Sequence, residues 1–327
     1  MDVKDGFQII LEDKSYDIKR FLRDHPGGVK TLEYYRGRSV RDAMAKFNHS
    51  SSAYHILNDF KLDNDNNING RSGKFKLHHH PEDPLLNISA RLDWSKPILS
   101  QLNKIAPHYN LWVNSAVYRK CRLFSNPILE AMTFTPWYLV PIFWIPITIV
   151  NSFVIFFSDS CKSDSLSILQ YVWHIFVGVC LWTIIEYSLH RWVFHLDPGN
   201  SLTMIRIHFL IHGLHHKVPF DGLRQVFPPV PALMLAFLIY TPLAMVFEYP
   251  IIKLAGGLMG YLTYDMIHYY VHHGSPADGT YLYAMKRYHS NHHFVNHDKA
   301  YGISSKIWDH VFHTFVKVRN LGFSLHW

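Results

Sequence analysis

Twelve of the chain's 24 histidines fall into four tight clusters in its second half: His190 with His195; His208, His212, His215 and His216; His268, His272 and His273; and His289, His292 and His293. Neutral imidazole is the commonest side-chain ligand for borderline transition metals. Residues three or four apart share one face of a helix, so His268 and His272 can grip one ion together, as can His212 with His215 or His216. The pattern His-x-x-His-His occurs twice, at 212–216 and 289–293. Ten or so ring nitrogens exceed what one ion can use, so the expectation is a centre of two metals. The run His78, His79, His80 sits among polar residues and reads instead as a solvated linker.

The clusters need elements that bring them together, and each lies at or just beyond an apolar run. Trp137–Phe157, Leu166–Ile185 and Val226–Phe247 each approach the roughly 20 residues that a helix needs to cross hydrocarbon. A fourth run extends from Tyr249 to Tyr264 and onward to Val271, with Lys253 close enough to its start to snorkel to the interface. About four crossings, an even number, put the 190–216 and 268–293 regions on the side of the N-terminus. Arg119, Lys120 and Arg122 precede the first run, whereas the loop after it carries Asp159, Lys162 and Asp164, so the positive-inside rule makes the histidine side cytosolic.

The formal charge of +7 comes without a compact basic patch interleaved with aromatics, which favours a membrane over nucleic acid. Cys121, Cys161 and Cys180 are far apart and odd in number, against a disulfide framework and in keeping with a reducing compartment. No secretory signal pattern precedes Phe7. Composition divides the chain into a small α+β unit at 1–62, a tether and amphipathic connector at 63–125, and an all-α membrane domain at 126–327. In the first unit, Phe7 to Leu11 and Tyr16 to Ile18 read as strands, and Val29 to Tyr35 and Ala43 to Phe47 as helices.

That first unit carries His25-Pro26-Gly27-Gly28 and Asn48-His49-Ser50, two histidines 24 positions apart flanking the helical pair. The glycines let the backbone turn sharply against a flat macrocycle, and two opposed imidazoles would fill both axial positions of a haem iron, leaving an electron carrier. The stretch Lys14-Ser-Tyr-Asp-Ile-Lys-Arg-Phe-Leu-Arg-Asp-His-Pro-Gly-Gly28 resembles cytochrome b5, shortened ahead of Phe7, and the resemblance implies His25 and His49 as axial ligands of haem b.

Imidazole suits zinc and iron alike, but zinc has no redox chemistry and gains nothing from a tethered electron donor, so the fusion favours two irons and an oxygenase or desaturase design. Glu186-Tyr-Ser-Leu-His-Arg-Trp-Val-Phe-His195, His208-Phe-Leu-Ile-His-Gly-Leu-His-His216 with Pro219-Phe-Asp-Gly222, Val226-Phe-Pro-Pro-Val-Pro231, Tyr264-Asp-Met-Ile-His-Tyr-Tyr-Val-His272 and His289-Ser-Asn-His-His293 resemble the membrane fatty acid hydroxylase and sterol desaturase superfamily. With the b5-like unit, the combination resembles its fatty acid 2-hydroxylase branch. The resemblance implies ten ligands, His190, His195, His212, His215, His216, His268, His272, His289, His292 and His293, and leaves out His208 and His273. Zinc is able to occupy such a site in preparations.

Tyr264 is a candidate for contact with substrate or oxygen, and Asp265, three positions before His268, for orienting an imidazole; Glu186, four before His190, has the same two readings, orienting group or structural partner. Lys217, Arg224 or Arg191 are candidates to hold a substrate head group. The family activity is oxygen-dependent 2-hydroxylation of long-chain fatty acyl groups for ceramides and other sphingolipids. Its implied partners are the bilayer, a fatty acyl or ceramide substrate, dioxygen and an NAD(P)H-dependent cytochrome reductase, and its implied location is the endoplasmic reticulum membrane. A sterol or other lipid oxidase of the same superfamily, and a membrane b5 carrier with a non-catalytic metal site, are the alternatives.

Overall fold

The computed structural model of the protein describes residues 6–47, 49–62, 84–160, 166–319 and 325–327. Most of the expected tether, with His78 to His80, and also Asn48, Cys161, Lys162 and Asp164, lie outside the described residues.

The N-terminal unit begins with an antiparallel hairpin, β1 (Gln8–Leu11) and β2 (Lys14–Asp17), in register Gln8 to Asp17 and Leu11 to Lys14. Its two-residue turn, Glu12 and Asp13, takes φ of 52° and 61°, the left-handed pair that matches the twist of tight hairpins. Three helices follow: α1 (Val29–Glu33), α2 (Arg41–Lys46) and α3 (Ser51–Asn58). The last was not read from the sequence. Ile9 and Leu11 alternate inward from the hairpin and meet Leu32, Met44 and Leu57 from the helices in one apolar core.

Residues 84–123 pack firmly. The short helices α4 (Pro84–Ser89) and α5 (Tyr109–Val113) and the loops around them bury Ile98, Leu102, Ile105 and Trp112 against Ile205 and Phe209 of the histidine-bearing region. A short α6 (Pro127–Ala131) is capped by Asn126, whose side chain accepts from the Ile128 and Leu129 amides.

Long helices then form the apolar body: α7 (Leu139–Ser160), α8 (Ile168–Ser188), with α11 (Pro229–Val246) and α12 (Pro250–His273) after the intervening short helices α9 (Leu202–His208) and α10 (Leu214–Lys217). Ser167 and Gln170 close a capping box at the start of α8. Among the described residues, two helices are long and apolar enough to cross a bilayer, Ile168–Phe194 and Pro229–Val246, and Leu139–Val154 is a shorter apolar helix. Leu169, Phe237 and Met245 are more than 70% exposed along this body, which water would oppose and lipid would favour. Helices α8 and α12 cross at Gly178 and Gly256. A Cβ on either would meet a carbonyl oxygen of the other helix at 2.1 Å, so only glycine permits this approach.

The histidine region caps one end of this body. It comprises α9, α10, α13 (Tyr281–Phe294), α14 (Ile307–Val311) and two π-helical stretches, Leu189–Phe194 and Phe209–Gly213.

Candidate metal centre and haem pocket

All ten histidines implied by the resemblance converge, and they divide into two groups of five. His190, His195, His212, His216 and His292 form the first; His215, His268, His272, His289 and His293 form the second; within each, the possible ligand atoms lie within 4.8 Å of one another. Neither His208 nor His273 belongs to a group. His208 Nδ1 pairs with the Tyr109 hydroxyl at 2.7 Å, and the His273 ring lies against Tyr269.

Local winding explains the convergence. On α12 and α13 the ordinary turn carries His268 with His272, and His289 with His293, to one face, while His292, next to His293, points to the first group. His190 and His195 are five apart, which an α-helix would splay. The π-helical turn brings them together, and the His195 amide donates to the His190 carbonyl at 3.1 Å. Neighbours on a helix point about 100° apart, so His215 leaves His212 and His216 for the other group.

The arrangement fits metals better than hydrogen bonds. His212 Nε2 has three imidazole nitrogens around it, those of His190 at 3.2 Å, His195 at 3.2 Å and His216 at 3.0 Å. His289 Nε2 is surrounded likewise by His268 at 3.1 Å, His272 at 2.8 Å and His293 at 3.0 Å. One ring nitrogen carries one proton at most and cannot bond to three neighbours. Two nitrogens bound at right angles to an ion at about 2.1 Å are about 3 Å apart, the spacing seen here. Burial first, and neighbouring imidazoles second, hold His212, His216, His289 and His293 well below the usual histidine range, so they are neutral and ready to bind.

Surrounding groups set the tautomers. His190 Nδ1 donates to the Tyr301 carbonyl at 2.6 Å and His292 Nδ1 to that of Lys299 at 2.7 Å, leaving both Nε2 lone pairs free. Two buried carboxylates hold the loop that supplies the first carbonyl. Asp309 accepts from the Tyr301 amide at 2.9 Å and the Gly302 amide at 2.8 Å, and Glu186 accepts from Ile303, Ser304 and the Ser304 hydroxyl. Glu186 thus acts on His190 through the backbone. In the second group, the Gln225 amide sits 3.0 Å from His215 Nδ1. Asp309 and Gln225 were missed, since neither stands at helical spacing from any of the ten ligand histidines.

Asp265 accepts from the Phe227 amide at 3.4 Å and the Tyr261 hydroxyl at 3.3 Å, fastening the loop before α11 to α12. The Tyr264 ring lies 5.8 Å from that of His268, within 23° of parallel. Tyr264 also lines a narrow cavity of about 80 Å³ between α7, α8, α11 and α12, with Phe194, Phe227 and Glu186 at the histidine end and Leu243 and Lys253 at the other. Two expected head-group residues are otherwise engaged. Lys217 is fully buried and donates to the carbonyls of Trp112 and Ser115, and Arg224 is paired with Glu130 and the Cys121 carbonyl. Arg191 donates to the Tyr187 hydroxyl at 3.1 Å.

The N-terminal unit holds a second site, a largely apolar cavity of about 350 Å³ with His25 and His49 on its wall. Their ring centroids are 6.2 Å apart and their planes within 17° of parallel. Two imidazoles bonded to opposite sides of one ion at about 2 Å each would stand about 6 Å apart, so the pair fits the axial ligation of a haem. Burial, then the His49 ring, pushes His25 down to about 4, which keeps it neutral.

Comparison with known proteins agrees with both sites. Residues 2–66 match the family model for the cytochrome b5-like heme/steroid binding domain, and residues 175–314 match that for fatty acid hydroxylase. Fatty acid 2-hydroxylase of Rattus norvegicus is 36% identical over 92% of this chain and 89% of its own length. A ceramide very long chain fatty acid hydroxylase of Saccharomyces cerevisiae is 30% identical over 93% of this chain and 88% of its own, and a dihydroceramide fatty acyl 2-hydroxylase of Arabidopsis thaliana is 37% identical over 70% and 94%. A solved structure described as full-length scs7p, with only the hydroxylase domain visible, aligns at 31% identity with a TM-score of 0.63, over 70% of this chain and 87% of that one. Two independent sites and these likenesses lead to one conclusion: the chain belongs to the fatty acid hydroxylase family, with a cytochrome b5-like domain ahead of its hydroxylase domain.

Proposed function

We propose that this protein hydroxylates carbon 2 of long-chain fatty acyl groups that enter ceramides and other sphingolipids. The observation that carries the proposal is the convergence of ten imidazoles beside a narrow, mostly apolar cavity, whose wall includes Tyr264, stacked on His268, and Phe194, next in the chain to His195. An acyl chain lying among the long helices would bring its carboxyl end, and so its carbon 2, to the histidine cap. Hydroxylation consumes one dioxygen, two electrons and two protons and releases one water, and the fused haem domain is the source of electrons that this balance needs.

All ten histidines serve as ligands in this reading, and His25 with His49 as the axial pair of haem b. Bound as two irons, the metals would supply the one-electron and oxygen chemistry that a saturated carbon demands. The chain's own residues do the rest. Tyr264 contacts the reacting end of the substrate beside His268, and Asp265 keeps the cavity's histidine end in shape through Phe227 and Tyr261. Leu181, Leu235, Leu258 and their neighbours exclude water from the chain's path.

Four crossings, by α7, α8, α11 and α12, suit the common end at which the histidines meet. With Arg119, Lys120 and Arg122 beside that end, the reading places both sites on the cytosolic face of the endoplasmic reticulum membrane, reduced by an NAD(P)H-dependent cytochrome reductase. Domain limits follow as 1–62, 63–125 and 126–327.

Expression in cells lacking 2-hydroxy lipids, followed by lipid mass spectrometry, tests the proposal. The parent chain restores 2-hydroxyacyl ceramides, and His268→Ala and His25→Ala do not. Undiminished product from His268→Ala would refute it, and oxidised sterols in place of 2-hydroxyacyl chains would move the assignment elsewhere in the superfamily.

A further inference from the structure

The cavity that holds His25 and His49 is not built by the N-terminal unit alone. Phe220, Phe294, Val295, Arg319 and Leu325, all from the hydroxylase half, line it too. Phe220 meets Phe21 edge to face at 5.6 Å and Tyr118 at 5.4 Å, and it stacks on Phe294 at 6.0 Å within 20° of parallel. Phe294 directly follows His293, a member of the second histidine group, and Phe220 lies four residues after His216, in the turn that follows α10. Among the described residues, Arg319 is the single permanently charged side chain on the lining.

Polar contacts hold the same seam shut. Asp59 accepts from the Tyr118 amide at 3.1 Å and forms an ion pair with Arg119, and the Tyr118 hydroxyl donates to Asp24 at 2.9 Å. The Val29 amide donates to the His326 carbonyl at 2.6 Å. That carbonyl comes so near Gly28, whose φ is +77°, that a Cβ there would lie 2.4 Å from its oxygen. Glycine at position 28 thus serves the contact between the halves as well as the turn of its loop.

We infer that the hydroxylase half completes the haem pocket: Phe220 and Phe294 wall its outer face, and Arg319 is the cation for a haem carboxylate. The inference rests on the reading of His25 and His49 as haem ligands. It assigns haem-binding residues outside the cytochrome b5-like domain. Desolvation by two aromatic rings favours an apolar macrocycle, and an arginine at an otherwise apolar wall matches the negative charge that a haem propionate carries.

The test uses the full-length protein in detergent, loaded with haem, and follows haem transfer to excess apomyoglobin together with the visible spectrum. In Phe220→Ala/Phe294→Ala the bis-imidazole spectrum is retained and haem leaves about tenfold faster, a change of about 1.4 kcal/mol. Arg319→Gln speeds loss two- to threefold (about) and shifts the haem midpoint potential, since a nearby cation favours the more negative ferrous form. Asp59→Ala/Arg119→Ala opens the seam without touching the pocket wall, and it also speeds haem loss. Transfer rates and potentials equal to the parent's in all three would overturn the inference. A parent that binds no haem would instead refute the haem reading on which it rests.

Discussion

The two histidine groups have the same number of rings and nearly the same spacing, yet they are held differently. In the first, backbone carbonyls of Tyr301 and Lys299 take the outer nitrogens of His190 and His292, and Asp309 clamps the loop behind them. In the second, no backbone carbonyl takes the outer nitrogens of His289 and His293, which, like that of His216 in the first, are buried without a hydrogen-bond partner, and a side-chain amide from Gln225 stands beside His215. A carbonyl fixed in a loop sets one tautomer rigidly, whereas a side chain sets it through its own rotamer. The first group is therefore the stiffer cage, and the second the one more open to adjustment during a reaction.

The hubs give the hardest test of this contrast. His212→Ala and His289→Ala should each abolish product, and elemental analysis should find about one metal per chain in place of two, each variant emptying only its own group. Loss of both metals from either variant would mean that the groups form one site. Acid comes next. The buried imidazoles resist protons that the unfolded chain accepts once the pH falls below about 6.5, so stability is full above that value and lost on descent through the depressed range. The unfolding free energy of the metal-free protein from urea titrations should fall by several kcal/mol (order of magnitude) between about pH 7.5 and 5.5, and bound metal should suppress the fall.

A smaller effect is expected from Asp309→Asn, which puts amide hydrogens where two backbone N–H groups need an acceptor. It should cost about 2 kcal/mol of stability and weaken metal retention in the first group alone, read by thermal melting and competition with a chelator. Gln225→Ala should leave stability nearly unchanged and reduce affinity in the second group about tenfold. Equal weakening of both groups by either variant would erase the distinction drawn between them.

Much of this centre is legible in the sequence, because metal ligands recur at helical intervals and histidine is conspicuous among apolar residues. The ten rings were identified that way, with the family resemblance selecting among twelve. Their division into two fives was not legible: helical geometry turns His215 away from His212 and His216, but that it meets His268 and His272 depends on elements far apart in the chain. Gln225 and Asp309 escaped for a related reason, since their partners are set by loops far away in sequence. Lys217 was misjudged as available for a head group because its burial under Trp112 depends on residues 84–123, whose packing leaves no periodic trace. In the N-terminal unit the hairpin was evident from alternation, while α3, eight residues with few apolar positions outside its buried face, was not.

The wide turn between His190 and His195 bears on how relatives of this chain are recognised. A π-turn absorbs one surplus residue without rotating the helix that leads into it, so two homologues can present the same pair of rings with four intervening residues in one and three in the other. A pattern search that fixes the interval would discard one of them, and an alignment would mark an insertion where the geometry has none. Counting turns of helix, in place of residues, is the safer ruler for this stretch.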